Sequence, residues 1–226
     1  MIDESVVDPD GTGDRRLRRS LLEVLARAFR DNPMNVAIHG PRPAQRLRAN
    51  RAGLRALVLD SAGLATSRVV LHEGRVVGGF VALAPGRYPL PAPRLARQLS
   101  CWLGQGARAM DRWSRVTNDL MVVHPNYPHW YLAVLGVEPA WQGRGVGGRL
   151  LEALMALAEA GPFPIYLESD REPSVRFYCA RGFAVVQAVR IQGVDCWCLA
   201  RGAPGVRSGA DAPGAQRVLC DPVREP

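Results

Sequence analysis

Two sets of residues in this chain are equipped for chemistry: a glycine-rich turn able to hold an anion, and a few groups able to move protons. The turn is Gly143-x-Gly145-x-x-Gly148, within "EPAWQGRGVGGRLLEALMALAEA". Closely spaced glycines let successive main-chain N–H groups converge on a phosphate, and a following helix adds about half a positive charge at its first turn. The proton-handling candidates are Glu168 at the end of "PIYLES" and Tyr178 in "PSVRFYCARG", with Asp119, His124 and His129 more weakly placed. Cys196-Trp197-Cys198 resembles half a metal clip, but no second His or Cys pair at ligand spacing accompanies it. Residues two apart in a strand share a face, so these thiols read as small core groups and no metal is expected.

The elements that must position these groups can be read from periodicity and punctuation. Residues 1–13 are polar and rich in Gly and Asp, and are expected to be disordered. Asp14 is a candidate N-cap for a helix with Leu17, Leu21, Leu25, Ala28 and Phe29 on one stripe, stopped by "DNP" at 31–33. A second helix is expected from Pro43 to Gly63, with Leu47, Leu54, Leu57 and Val58 inward. "RVVLHEGRVVGGFVAL" reads as a hairpin turning at Glu73-Gly74, and the Pro-rich 85–93 as irregular. Between Arg94 and Arg115, Leu95, Leu99, Trp102, Leu103, Met110 and Trp113 recur at helical spacing, weakened by Gly104 and Gly106; this segment is core or a pocket wall. A loop, "MVVHPNYP", leads to the buried strand "HWYLAVLGV", then the glycine turn and a helix over 146–160. "PIYLES" is a further buried strand, "PSVRFYCARG" a short helix, and "FAVVQAV" and "VDCWCLA" a closing antiparallel pair. One domain over 14–201 is expected, with a disordered tail over 202–226.

The totals narrow the class. The 226 residues suffice for one well-filled core. The net charge of +8 comes from arginine alone, and the arginines are scattered rather than gathered in a block, which argues against a nucleic-acid partner. No apolar run approaches the roughly 20 residues of a membrane helix, so no membrane association is expected. The five cysteines, an odd number without a secretory leader, point to reduced thiols and a cytoplasmic location.

The glycines fit a dinucleotide fingerprint, and Glu168 lies where a ribose-binding acid would stand. Three features oppose that reading. "EPAWQ" separates Val137 from Gly143, the unit follows a hairpin, and what comes after Glu168 is a helix and an antiparallel pair rather than further βαβ units. The same residues, a strand, Val137-x-Pro139, Gln142-x-x-Gly145-x-Gly147 and a long helix, resemble the acetyl-CoA-binding motif of the GNAT N-acetyltransferases. "LESDREPSVRFYCARGF" at 167–183 resembles the other half of that signature. More narrowly, "HWYLAVLGVEPAWQGRGVG", "YLES" and "CWCLAR" are similar to the antibiotic-acetylating branch that includes the puromycin N-acetyltransferases.

The resemblance implies an α/β (α+β) fold, a mixed, mostly antiparallel sheet flanked by helices, with a splayed parallel strand pair. It implies acetyl-CoA as co-substrate, bound by Leu135, Gly136, Val137, Gln142, Gly143, Arg144, Gly145, Val146, Gly147, Gly148 and Ser174. Gly136 would permit a bulge that opens the splay. Ser174 stands where many relatives carry an Asn. Tyr178 takes the general-acid position that protonates the leaving thiolate, and Glu168 is the candidate base, since the first splayed strand carries no acid. The acceptor implied is a small-molecule amine, an antibiotic or metabolite; a homodimer is left open. A module that binds CoA or a partner protein without turnover, and an enzyme that acetylates proteins, remain alternatives.

Overall fold

The computed structural model describes residues 4–11, 13–61 and 63–203. A seven-stranded sheet runs through the chain in the order β1-β2-β3-β4-β5-β7-β6. Its strands are β1 (Glu4–Val7), β2 (Thr66–His72), β3 (Arg75–Leu83), β4 (Trp130–Val137), β5 (Ile165–Ser169), β6 (Ala184–Ile191) and β7 (Val194–Arg201). All neighbours are antiparallel except β4 and β5. The hairpin β2–β3 turns at Glu73 and Gly74, both at positive φ (49° and 73°), the geometry that matches strand twist.

The first departure from expectation is at the N-terminus, where residues 4–7 pair with β2. Val6 and Val7 suit a strand, and the aspartates that read as disorder are tethers. Asp10 accepts hydrogen bonds from the Ser67 amide and hydroxyl, both at 2.9 Å, and Asp8 pairs with Arg68 at 2.8 Å. The expected C-terminal tail lies outside the described residues from 204 onward.

Helix α1 (Arg15–Ala28) starts as expected at Asp14, whose carboxylate accepts from the amides of Arg16 and Leu17. Pro33, read as a stop, begins the short helix α2 (Pro33–His39), because proline at the first helical position forfeits no hydrogen bond. Helix α3 (Pro43–Arg55) passes into a π-helical turn over Ala56–Asp60. Its buried face is partly polar, through Arg46 and Asn50. The Arg46 guanidinium donates to the carbonyls of Arg30 and Gly40 and pairs with Asp31, tying α3 to the α1–α2 corner. Together, Arg30 and Arg46 hold the Asp31 carboxyl down at about 2.

The single helix expected over 94–115 is two, α4 (Leu95–Gln105) and α5 (Ala107–Val123), broken at Gly106 with φ of 87°. Helix α5 runs on through Met121–Val123, read as loop, and ends where Pro125 forces His124 to an extended conformation. The helices α6 (Val146–Ala158) and α7 (Glu172–Cys179) stand where the periodicity placed them.

The sheet separates two helical layers. One core joins α6 and α7 to Trp130, Leu132, Leu135 and Val137 of β4. A second joins α1 to the opposite face, including Tyr131 and Val134. This switch in parity between Leu132 and Val134 comes from a bulge at Ala133, where the register with β3 steps from Val81↔Val134 to Ala82↔Leu132. The bulge is therefore at Ala133 and not at Gly136. Gly136 is paired regularly with Gly79, and a Cβ there would come within 2.8 Å of Leu25 and 3.0 Å of Ala28. Its hydrogen lets α1 lie close on the strand.

Cys196 and Cys198 are buried core thiols, as expected. The expectation of reduced thiols throughout fails at Cys179, which is disulfide-bonded; Cys220 lies outside the described residues. Among the described residues, no helix is long and apolar enough to cross a membrane.

Candidate active site

The parallel pairing of β4 and β5 extends over two residues of each strand, Trp130↔Ile165 and Tyr131↔Tyr166. Beyond Tyr131, β4 keeps only β3, and beyond Tyr166, β5 keeps only β7. The strands part at the Ala133 bulge, leaving one edge of β4 without a strand partner. Glu138 donates its N–H to Val77 on the β3 side at 2.9 Å, so by strand alternation the main-chain groups of Leu135 and Val137 turn into the gap. Arg27 of α1 fixes this end of β4 with a bidentate grip on Glu138, at 2.8 to 2.9 Å.

A cleft of about 470 Å³ opens on the α6–α7 side of the gap. It is lined by Leu135, Gly136, Val137, Gln142, Gly143, Gly145, Gly147, Gly148 and Ser174, all anticipated from sequence, and by Tyr178. Helix α6 has Gly145 as its N-cap, in the left-handed region at φ 84°, no side-chain cap and no acid in its first turn. Its leading N–H groups are thus left without an acceptor from a capping side chain, as an anion site requires. The wall at Gly147 and Gly148 is shaped by Phe177 and Arg181, whose guanidinium lies 3.9 Å over the Phe177 ring. Gln142 does more than line the cleft, since its amide donates to the Val137 carbonyl at 3.1 Å and folds the loop back onto β4. Arg144 rests over Trp141 at 4.9 Å and lines neither cavity; Val146 is buried in the core. No acid lines this cleft, whereas Arg171 and Arg181 do. The main-chain donors, the glycine cradle and the arginines fit the diphosphate of a coenzyme A thioester, and the open strand edge fits its amide-bearing arm.

Tyr178 is buried, and burial raises its phenol well above the usual value, keeping the hydroxyl protonated as a donor. Arg171, Phe177 and Arg181 were missed as site residues; all sit within the second motif, and only the fold turns them toward the cleft.

On the other side of the sheet a pocket of about 520 Å³ lies between β4, β5 and helices α2, α3, α4 and α5. It shares Phe29 and Asn32 with the cleft, so the two cavities adjoin. Glu168 lines this pocket and not the cleft, as do Tyr88, Tyr131 and Asp170. Asp170 is committed to structure: it accepts from the Met34 amide at 2.8 Å and from Asn32 at 3.1 Å, capping α2 from a distant strand. Asp119 is exposed on α5 and lines neither cavity.

Behind Glu168 lies an imidazole pair. His129 Nδ1 is 2.7 Å from the Tyr127 carbonyl, so that nitrogen carries a proton. Burial lowers His129 below its usual value, so its Nε2 is a lone pair, accepting from His124 Nε2 at 3.1 Å. That leaves His124 Nδ1 facing Glu168 Oε1 at 3.5 Å, with both atoms buried and lacking a hydrogen-bond partner within the protein. Tyr88 stacks on His124 with ring centroids 3.9 Å apart, and Tyr131 meets it edge-on. Burial first, and the Glu168 charge second, raise the phenols of Tyr88 and Tyr131.

With this geometry in place, comparison with known proteins is direct. Residues 27–183 match the acetyltransferase (GNAT) family, and the chain belongs to it. A mycothiol acetyltransferase of Clavibacter sepedonicus is 29% identical over 217 residues, covering 80% of this chain and 68% of that protein. The N-alpha-acetyltransferase RimI of Mycobacterium tuberculosis is 34% identical over 71 residues, 30% of this chain and 45% of that protein. The chain thus spans less than half the length of some curated relatives it matches. Among solved structures, the histone acetyltransferase HPA2 and related acetyltransferase from Corynebacterium glutamicum superposes with a TM-score of 0.61 at 20% identity, covering 91% of this chain and 100% of that one. The Drosophila melanogaster polyamine N-acetyltransferase gives 0.60 at 19%, covering 88% and 99%. These two establish likeness of fold.

Proposed function

We propose that the protein is an acetyl-CoA-dependent N-acetyltransferase that acetylates the primary amine of a small molecule, an antibiotic or metabolite, by direct transfer in a ternary complex. The observation that carries this reading is the division of charge across the strand gap. The cleft holding the glycine turn is lined by arginines and no acid, while the adjoining pocket carries Glu168 and Asp170 and no Arg or His. An anionic donor and a cationic acceptor would approach the gap from opposite faces.

Acetyl-CoA, when bound, supplies the activated acyl group and a thiolate leaving group. The amides opening α6, with Arg181 and Arg171 nearby, hold the diphosphate, and Leu135 and Val137 offer main-chain groups to the extended arm. The Val137 N–H serves the oxyanion that forms on addition. Glu168 takes a proton from the bound ammonium, which frees the amine lone pair to attack the thioester carbonyl, and His124 Nδ1 stands 3.5 Å behind the carboxylate. Tyr178, kept protonated by burial, gives its proton to the departing sulfur. The narrower likeness to the antibiotic-acetylating branch supports a small acceptor, as do the mycothiol acetyltransferases among the relatives and the polyamine enzyme among the structures. Incubation with acetyl-CoA and a panel of amines should release free thiol in step with acetylated product. Release with no member of the panel would leave only a CoA-binding module.

A further inference from the structure

From the one-sided chemistry of the pocket beside Glu168 we infer the class of acceptor: an amine bearing a single positive charge on an apolar, aromatic-sized body, without a carboxylate or phosphate. The inference takes its reaction from the acetyl-transfer reading above, but its binding chemistry is independent of it.

Most polar groups reaching this pocket are already engaged. Asp170 is held by Met34 and Asn32, the Asn50 amide donates to the Ala26 carbonyl at 3.1 Å, and Trp113 Nε1 donates to His39 at 3.2 Å. Two buried side-chain atoms of its lining lack a hydrogen-bond partner: Asn35 Oδ1, and Glu168 Oε1, which has His124 Nδ1 at 3.5 Å behind it. Asn35 is 6% exposed, and its amide nitrogen is committed to the Phe29 carbonyl at 2.8 Å, which fixes its oxygen as an acceptor. Asn35 Oδ1 is therefore a vacant acceptor, and Glu168 in the same lining adds a carboxylate. An ammonium is donor-only and suits this pair.

The remaining wall favours apolar bulk. Trp113, Val116 and Leu120 of α5, Met110 before them, and Tyr88 and Tyr131 opposite line it. With no Arg or His in the lining, a ligand carboxylate or phosphate would be buried without a counter-charge. A second ammonium would find Asp170 already accepting from Met34 and Asn32, and otherwise only neutral polar groups such as those of Asn50, Gln105, Thr117 and Ser169. The volume of about 520 Å³ lies in the range that encloses a drug-sized molecule rather than a lone methylamine.

The test compares 2-phenylethylamine with phenylalanine, which adds a carboxylate to the same body, and with spermidine, which adds charges and removes the ring. With acetyl-CoA, kcat/KM for 2-phenylethylamine should exceed both by about 100-fold; parity with either would overturn the inference. Thr117→Asp places a carboxylate on the pocket wall at an exposed position, where folding is not at stake, and should raise spermidine relative to 2-phenylethylamine by about tenfold. An unmoved ratio would overturn the assignment of this pocket as the acceptor site. Calorimetry in the presence of CoA separates the two readings. Binding of 2-phenylethylamine, selective over the other two but without acetylated product, keeps the acceptor class and removes the transferase reading. Absence of that binding removes the acceptor class.

Discussion

At the scale of single residues, the two proton steps of the proposed reaction fall to Tyr178 and Glu168, which line different cavities. Tyr178 stays a phenol because burial opposes its ionisation, so it can act only as a donor. Tyr178→Phe keeps the ring contacts with Phe177 and Phe183. It should lower kcat by about 10²- to 10⁴-fold while acetyl-CoA affinity is unchanged, and an unchanged kcat would remove Tyr178 from the chemistry. Glu168→Gln should cost most at pH values below the amine's pKa, where a proton must be taken; a uniform loss across pH would point to a different base. His124→Gln, acting through Glu168, should displace the pH profile of kcat/KM with a smaller loss at its optimum, whereas a purely structural role would lower the whole curve. Burial lowers His129 and His39 in the folded state, so the unfolded chain binds more protons as pH falls below about 6.5. Their contribution is therefore intact above that value and is lost as pH falls through the window toward the lowered folded values. Thermal melts of His129→Gln should show a shallower fall across about pH 7 to 5 than the parent; an equal slope would contradict the buried neutral imidazole.

At the scale of elements, what was legible in the sequence was whatever is specified locally. The glycine turn, the hairpin at Glu73-Gly74 and the long helix after Gly145 follow from residues adjacent in the chain, and they stand as read. Features that depend on distant partners were not legible. The strand at 4–7 needs β2, and α2 needs Asp170 to cap it from the end of β5. The opening of the splay belongs to a bulge at Ala133, which is invisible without the register of β3. Glu168, His124 and His129 were each named as candidates, but their grouping needed the loop after α5 to fold onto β5, and the aromatic wall comes from elements whose apolar stripes read equally well as core. Gly136 illustrates the difference: its requirement is proximity of α1, not flexibility. Gly136→Val should therefore destabilise the fold by about 1–3 kcal/mol through overpacking against Leu25 and Ala28. A denaturant midpoint equal to that of the parent would show that α1 yields instead.

For the whole molecule, the sheet works as a partition. One helical layer offers main-chain donors and arginines, the other an apolar pocket with a carboxylate in its lining, and the two cavities adjoin at Phe29 and Asn32. The family match over 27–183 takes in both cavities but for Cys196, and α2 to α5 with the segment bearing Tyr88 wall the pocket on the Glu168 side. Donor binding in the proposed reaction depends most on the glycine turn at Gly145, where φ is 84°. Calorimetric titration of acetyl-CoA into the parent and into Gly145→Val, a substitution strained in that conformation by about 1–2 kcal/mol and obstructive to a bound phosphate, tests it most directly. Saturable one-to-one binding by the parent, weakened at least about tenfold in a variant that still folds, is the predicted result. No binding by the parent, or equal affinity in the two proteins, would contradict it.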